Sequence, residues 1–223
     1  MQQPPEVVVF DVNETLSDMV PIAQRFIDVG AEGNLAVTWF SGLLRDGFAL
    51  TAAGASEKFA TLAREGLRAV LGGVQLDHGI DAVVDHVMNG FSSLDVHPDV
   101  VDGIRSLARS GLRLVTLSNG ATSVAEGLLE RAGIRDEFEM LLSVEDAGLW
   151  KPAARAYEFA AGRCGVDMSA MLLVAVHPWD VDGASRAGMQ VAWIDRGGAH
   201  YPAYFCAPGR IAAGIDDLAA QLT

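Results

Sequence analysis

The chain has 223 residues, half of them hydrophobic, which is enough to build one large domain or a core domain with an insertion. Its 16 Lys and Arg residues against 29 Asp and Glu residues give a net charge of -13. That balance argues against a nucleic-acid partner, because phosphate contacts need clustered cations. A small anionic substrate is compatible with it only where local cations and backbone N–H groups outweigh the overall negative field.

The composition also predicts the compartment. No apolar run approaches the roughly 18 residues needed to span a bilayer, and residues 1–5 lack the basic and apolar regions of a secretory signal. Cys164 and Cys206 form neither a disulfide framework nor a metal-binding spacing. We therefore expect a soluble cytoplasmic protein without a membrane partner.

A short apolar run near the N-terminus predicts a buried strand. Residues 7–10 are three valines and a phenylalanine, a pattern typical of a strand in a parallel sheet. Asp11 follows directly. Ligands of open α/β sheets bind at the carboxyl ends of the strands, so Asp11 is a candidate active-site carboxylate. For this segment alone, a turn or N-cap role for Asp11 is the alternative.

The next stretch, residues 17–95, is predicted to be a helical insertion. Leu35, Trp39 and Leu43 recur at four-residue spacing, and a second apolar stripe begins at Phe59 with Ser56 as the expected N-cap. No strand signal comparable to the first interrupts this stretch.

From residue 98 onward, strands and helices alternate. We predict strands over residues 112–117, 140–144, 171–176 and 191–194. Predicted helices cover residues 100–110, the segment after a capping box at Ser123 and Glu126, residues 153–163, residues 180–187 and the C-terminus from residue 216. Four glycines are expected to end helices: Gly111, Gly133, Gly165 and Gly188. Residues 197–208 are predicted to be a loop.

This order of elements predicts an α/β fold. Alternating strands and helices indicate right-handed βαβ units on a parallel sheet. We expect a doubly wound, Rossmann-like core of residues 1–16 and 96–223, with a helical cap of residues 17–95 inserted after strand 1. A pocket between cap and core follows, because ligand sites favour domain interfaces and strand ends.

Polar residues follow four of the predicted strands at what should be one edge of the sheet. Each group is weak on its own, since Ser-Asn-Gly is a common turn and an Asp can simply cap a helix. Together, in this chain order, they are specific for an active site. They are Asp11 and Thr15, Ser118 and Asn119, Lys151, and His177 with Trp179 and Asp180.

This constellation resembles the haloacid dehalogenase superfamily, over nearly the whole chain and with a cap in the same place. By that resemblance, Asp11 is the nucleophile that forms a covalent ester intermediate. Lys151 would hold the carboxylates ionised and anchor an anionic substrate. Three further side chains would position Asp11 and the substrate: Thr15, Ser118 and Asn119.

Two positions distinguish the branches of this superfamily. Its magnesium-dependent phosphatases carry a second Asp two residues after the nucleophile and an acidic metal ligand just after strand 4. Here those positions are Asn13, which cannot exchange a proton as a carboxyl does, and Val176, which ligates nothing. Phosphatase chemistry is therefore disfavoured.

The pattern is closest to the metal-independent L-2-haloacid dehalogenase (type II) group. That resemblance implies attack by Asp11 on the halogen-bearing carbon of a small 2-haloacid, without a cofactor. Water would then hydrolyse the ester, with Asp180 as the base or water-orienting group. Expected substrate contacts come from the following residues: Val12, Asn13, Ser41, Arg45, Tyr157, His177 and Trp179. The helical spacing of Trp39 and Phe59 favours a core role over a pocket role for both.

The chain departs from this group in three places. The group has a cap Arg after a Thr-Trp-Leu-like stretch, whereas this chain has Ser41, with Arg45 one helical turn later as a candidate substitute or a surface residue. His177 stands where the group has Asn, and either replaces it in water activation or is structural. Asn13 lies at a position that varies among the dehalogenases, and Glu14 replaces the usual small residue before the Thr. These changes imply an altered substrate preference.

The leading hypothesis is a metal-independent 2-haloacid dehalogenase. Two alternatives remain: a Mg²⁺-dependent phosphatase with degenerate metal ligands, and a catalytically weak anion-binding protein with the same fold. Relatives with this cap are often dimers, so a homodimer is a further expectation.

Overall fold

The computed structural model describes residues 4–223 and places six strands in one parallel sheet. They are β1 (Val7–Phe10), β2 (Arg113–Ser118), β3 (Met140–Ser143), β4 (Met171–Ala175), β5 (Gln190–Ile194) and β6 (Arg210–Ala212). Their order across the sheet is β3-β2-β1-β4-β5-β6, and neighbouring strands run parallel. The predicted doubly wound fold is confirmed. The expectation that no secretory signal is present concerned residues 1–5, and residues 1–3 lie outside the described part of the chain.

Ten helices connect and cover these strands within the described part of the chain. They are α1 (Ile22–Ile27), α2 (Leu35–Ala52), α3 (Phe59–Val70), α4 (Ile80–Ser92), α5 (Val100–Arg109), α6 (Thr122–Arg131), α7 (Val144–Ala147), α8 (Ala154–Cys164), α9 (Pro178–Ala187) and α10 (Ile215–Leu222). Two short 3-10 turns occur at Arg135–Glu137 and Met168–Ala170. None of the helices between residues 4 and 223 is both long and apolar enough to cross a membrane.

The central strand is buried on both faces. Val7 and Val9 belong to one apolar cluster, and Val8 and Phe10 to a second cluster on the other face of the sheet. Alternate side chains of a strand point to opposite faces, so a sheet covered on both sides needs apolar residues at every position. That requirement explains why β1 is an unbroken apolar run that ends at Asp11.

The helices α1 to α4 lie between β1 and α5, where the cap was expected. The two ends of this segment lie side by side. Asp18 N–H donates to Asp95 O over 2.9 Å, and His97 N–H donates to Leu16 O over 2.9 Å. We propose on this basis that residues 17–95 form the cap. The two backbone segments that connect it to the core are hydrogen-bonded to each other.

The cap packs closely on the core. The Trp39 side chain is buried and donates from Nε1 to Ala63 O over 2.9 Å, which ties α2 to α3. The Phe59 ring stacks on the Trp150 ring at a centroid distance of 6.0 Å. A Cβ at Gly47 would lie 2.4 Å from the same Trp150 ring, so only glycine allows α2 to approach the core there. Trp39 and Phe59 are therefore buried in the hydrophobic interior of the protein.

Three local predictions were wrong. Helix α3 begins after Lys58 rather than Ser56, and α6 begins after Ala121, so neither Ser56 nor the Ser123–Glu126 pair caps a helix. The strand β6 was missed because three residues at the sheet edge are too short to show an alternating pattern. The predicted helix ends at Gly165 and Gly188 are confirmed, with left-handed φ angles of 69° and 100°.

Candidate active site

Asp11 lies at the carboxyl end of the central strand. Its N–H donates to Val174 O over 3.0 Å, which continues the pairing of β1 with β4 and fixes the start of the loop. The strand β1 lies between β2 and β4, where the chain switches sides of the sheet. Crevices at such switch points are the usual ligand sites of doubly wound folds.

One buried lysine contacts two carboxylates. Lys151 Nζ donates to Asp11 Oδ1 over 2.9 Å and to Asp180 Oδ2 over 2.5 Å, and its side chain is fully buried. Burial alone would lower the pKa of Lys151, but the charges of Asp11 and Asp180 raise it above its usual value. Lys151 is therefore a permanent cation beneath the site.

Thr15 fixes the second oxygen of the Asp11 carboxylate. Its hydroxyl donates to Asp11 Oδ2 over 2.7 Å and accepts from Val176 N–H over 3.1 Å. Burial raises the pKa of Asp11, but Lys151, His177 and the hydrogen bonds more than offset it and hold that pKa below its usual value. Asp11 is consequently an ionised, oriented carboxylate with one hydrogen bond to each oxygen.

Asp180 lies behind Lys151 and does not reach open space. It is fully buried, and its Oδ1 accepts from Tyr157 OH over 2.6 Å while Oδ2 accepts from Lys151. Burial and the Asp11 charge raise the pKa of Asp180, and burial with the Asp180 charge raises the pKa of Tyr157 well above its usual value. Both carboxylate oxygens are occupied, so Asp180 is placed to hold Lys151 rather than to contact a water in the cleft.

The second strand end holds the loop that carries Lys151. Asn119 Oδ1 accepts from Lys151 N–H over 2.9 Å, and Asn119 Nδ2 donates to Lys151 O over 3.4 Å. Ser118 Oγ accepts from Gly120 N–H over 2.9 Å, which leaves the hydroxyl hydrogen of Ser118 available as a donor. Asn119 therefore holds the Lys151 backbone in place, and Ser118 begins the same loop.

His177 connects Asp11 to Glu14. Its Nε2 lies 3.6 Å from Asp11 Oδ2, 3.5 Å from Glu14 Oε2 and 3.2 Å from Asn13 O. All three neighbours are acceptors, so this nitrogen carries a hydrogen and acts as a donor. The imidazole also stacks on the Trp179 ring at a centroid distance of 5.0 Å.

Glu14, which the sequence indicated only as a departure from the dehalogenase pattern, also lies beside Asp11 and His177. It has a left-handed φ of 62°, rare for a non-glycine residue, and its backbone is held by Ser17 Oγ and by His97 Nε2. Burial and the Asp11 charge raise the pKa of Glu14 despite the nearby His177. Strained backbone of this kind often marks functional positions, but no sequence pattern predicts it.

A cleft of about 730 Å³ opens between the cap and the carboxyl ends of β4 and β5. Its lining includes three of the expected substrate contacts, Ser41, His177 and Trp179, as well as Glu14. Arg45 is not among the lining residues. Its side chain is 74% exposed and pairs with Asp46 over 2.8 Å, so the structure does not place it where it could replace a cap Arg.

The remaining expected contacts lie around Asp11. Val12 packs its side chain into an apolar cluster, so that side chain is not a substrate contact. Asn13 is buried beside the Ser118 loop. Arg196, which sequence reasoning missed, lines the cleft, pairs with Asp99 and donates from Nη2 to Thr15 O over 2.8 Å.

The family model described as haloacid dehalogenase-like hydrolase matches residues 5–188. Haloacetate dehalogenase H-2 of Moraxella sp. (strain B) is 30% identical over 195 residues, which cover 86% of this chain and 87% of that protein.

Solved structures show the same likeness. The crystal structure of an L-2-haloacid dehalogenase aligns with a TM-score of 0.91 at 29% identity and covers 99% of both chains. The L-2-haloacid dehalogenase of Xanthobacter autotrophicus aligns with a TM-score of 0.89 at 23% identity, over 98% of both chains, and so shares the fold. Because the family model spans most of its length and a 30% identical relative covers 86% of it, the chain belongs to the haloacid dehalogenase-like hydrolase family.

Proposed function

We propose that this hydrolase removes halide from a small 2-haloalkanoic acid through a covalent ester on Asp11. The observation that carries the proposal is the state of the Asp11 carboxylate. It is ionised, oriented by Lys151 and Thr15, and contacted from the cleft side by His177. The haloacetate and L-2-haloacid dehalogenases among its relatives support this substrate class.

In the first half-reaction, one Asp11 oxygen attacks the carbon that carries the halogen. The new carbon–oxygen bond forms as the carbon–halogen bond breaks, and the halide leaves with the bonding electrons. We assign the substrate carboxylate to neutral donors at the strand ends: the Ser118 hydroxyl, the Asn13 side chain and the backbone N–H groups of Val12 and Asn13. No cationic side chain of the described cap lines the cleft, so these donors replace the charge that the dehalogenases place in the cap.

In the second half-reaction, water attacks the ester carbonyl and releases a 2-hydroxy acid. We assign the base to Glu14, with His177 orienting the water between Glu14 and Asp11. This replaces the expectation that Asp180 is the base, because both Asp180 oxygens are occupied and its side chain is buried. A carboxylate with a raised pKa is better suited to accept a proton near neutral pH than an ordinary one.

The site residues do not fit a Mg²⁺ ion. Among residues 4–223, no group of three or more His, Cys, Asp or Glu side chains is arranged to hold a metal. The Nζ of Lys151 already contacts both the Asp11 and the Asp180 carboxylates, and Val176 has no side-chain atom that could be a ligand. We therefore derive no step through a metal and propose metal-independent chemistry.

Two further proposals concern the context of the enzyme. We propose a cytoplasmic location, which agrees with the acidic composition. We also propose a homodimer, which light scattering during size-exclusion chromatography would test directly. A monomer at micromolar concentration would contradict it.

The test of function is halide release from chloroacetate, fluoroacetate and both enantiomers of 2-chloropropionate in EDTA. The D11N variant is the control, because the amide is no longer a nucleophile. We expect halide from the wild type alone. Without halide from any substrate, phosphate release from phosphoesters with added Mg²⁺ would favour the phosphatase alternative. Absence of both activities would favour an anion-binding protein.

A further inference from the structure

The cleft is far larger than a minimal substrate requires. A haloacetate has five non-hydrogen atoms, which at about 30 Å³ for each water-sized group occupy on the order of 150 Å³. The cleft holds about 730 Å³, within the usual range for sites that enclose a larger organic ligand. Most of its space is therefore left over when only the reacting carbon and its carboxylate are bound.

The surplus space is lined by apolar side chains from both domains. The cap contributes Met19, Ile22, Phe40 and Leu44, and the core contributes Trp179 and Trp193. A ligand pocket with these walls gains affinity chiefly by removing apolar surface from water.

The charges around the cleft disfavour a second anionic group. Glu14, Asp18 and Asp195 line it. The one guanidinium in its described lining, Arg196, is already paired with Asp99 and bonded to Thr15 O. A second anionic group is consequently disfavoured in this part of the cleft, and its apolar walls favour an apolar group.

The cleft ends beside the nucleophile, although Asp11 is not itself among the residues that line it. His177 and Glu14 belong to its lining, and His177 Nε2 lies 3.6 Å from Asp11 Oδ2. A substrate whose C2 atom reaches Asp11 can therefore extend its side chain into the apolar part of the cleft.

From this geometry we propose that the cleft is a tail subsite, defined by Met19, Ile22, Phe40, Leu44, Trp179 and Trp193. The preferred substrates are then 2-halo monocarboxylic acids with a long, uncharged apolar side chain. The inference rests on the proposed function and deepens it. Because the cap has Ser41 and no cation in the described cleft lining, the cap cannot form an ion pair with the substrate. Burial of the apolar tail would supply binding energy in its place.

The direct test compares kcat/KM for 2-bromo acids from acetate through butanoate and hexanoate to octanoate. Each added methylene that enters the subsite contributes about 0.8 kcal/mol, or about fourfold in kcat/KM. We expect a rising series, and we expect 2-bromohexanedioate, with its second carboxylate, to react more slowly than 2-bromohexanoate. Equal or falling values along the series would overturn the subsite.

Two variants of α2 locate the effect. L44E places a charge in the subsite, and we expect it to flatten the chain-length series. L50E is the matched control, because Leu50 is also half-buried on α2 but lies outside the cleft lining. The series should keep its slope in L50E. A slope that survives in L44E would contradict the assignment.

A binding measurement separates this inference from the proposed function. Calorimetric titration of the D11N variant with acetate and with octanoate needs no turnover. Tighter binding of octanoate supports the tail subsite even where no 2-halo acid releases halide, a result that would overturn the dehalogenase function alone. Equal affinities would overturn the subsite while leaving halide release from chloroacetate to stand by itself.

Discussion

Lys151 and Asp11 form a buried ion pair in which neither side chain is more than 5% exposed, with 2.9 Å between Nζ and Oδ1. Asp180 shares the same ammonium group at 2.5 Å. With all three groups ionised, the cluster carries one net negative charge. Lys151 is therefore the cation that keeps two carboxylates charged away from water, and the structure has no second buried cation in contact with them within residues 4–223.

Removing that cation should destabilise the fold as well as stop the reaction. Breaking a buried pair on one side leaves uncompensated charge and typically costs about 3–5 kcal/mol. We expect K151Q to lose about that much free energy of unfolding in urea and to release no halide. R186Q, which removes an exposed i,i+4 pair with Asp182, should change stability by about 0.5 kcal/mol or less. Equal effects in the two variants would contradict the role of Lys151.

The pH dependence of stability should separate the two carboxylates. In the folded protein the pKa of Asp11 is lowered. Asp11 therefore stabilises the fold at pH values above the ordinary Asp pKa of about 3.9, and this stabilisation is lost as the pH falls through the folded pKa. The folded pKa of Asp180 is raised, so its contribution is present below the ordinary value and is lost as the pH rises through the folded pKa.

Urea unfolding between about pH 3 and pH 6 tests these opposite signs. We expect the stability of D11N to decrease less than that of the wild type as the pH falls below about 4. We expect the stability of D180N to decrease less than that of the wild type as the pH rises above that value. Curves of the same shape in all three proteins would show that neither pKa is displaced.

Much of this site could be predicted because parallel strands bring their carboxyl ends to one edge. Asp11, Ser118 and Lys151 are far apart in the chain, yet each follows a readable apolar strand or precedes a Pro. The sequence could not show that Asp180 faces away from the cleft, because the identity of a residue does not give its direction. It also could not show that Arg196 reaches Thr15 O across 181 positions, or that Glu14 has a left-handed backbone.

Gly183 is expected to be essential for the Tyr157–Asp180 contact. A Cβ there would lie 2.5 Å from Pro152 Cβ and 2.7 Å from Tyr157 OH. Overpacking of this kind typically costs about 1–3 kcal/mol, and a displaced Tyr157 would release one Asp180 oxygen. We expect G183A to lower both thermal stability and halide release.

Gly162 provides the matched control for that substitution. It lies in the interior of α8, is exposed, and has nothing within 4 Å of an added Cβ. Alanine is the better helix former by about 1 kcal/mol, so G162A should unfold at a slightly higher temperature and keep full activity. Similar losses in G183A and G162A would argue against steric crowding as the cause.

Ser41 offers a test of the missing cap charge. It lines the cleft, at the position where the dehalogenases resembled by this chain carry Arg. A single partly exposed charge contact contributes up to about 1 kcal/mol, so we expect S41R to lower KM for chloroacetate about fivefold. R45Q, outside the cleft, should leave KM unchanged. An unchanged KM in S41R would show that neutral donors already suffice.

Glu14 should act in the second half-reaction and not in the first. Its carboxylate lies 3.5 Å from His177 Nε2 on the cleft side of Asp11, where a water can attack the ester but where no group is needed for displacement of halide. General-base catalysis typically contributes about 10²–10⁴-fold. We therefore expect E14Q to release one equivalent of halide in a burst and then to turn over at least about 100-fold more slowly than the wild type.

Mass spectrometry of the quenched variant should find the carboxyalkyl group of the substrate on the peptide that contains Asp11. E130Q, an exposed substitution on α6, should show wild-type turnover and no adduct. An E14Q enzyme without a burst would place Glu14 in the first step, and one with wild-type turnover would return the role of base to another residue.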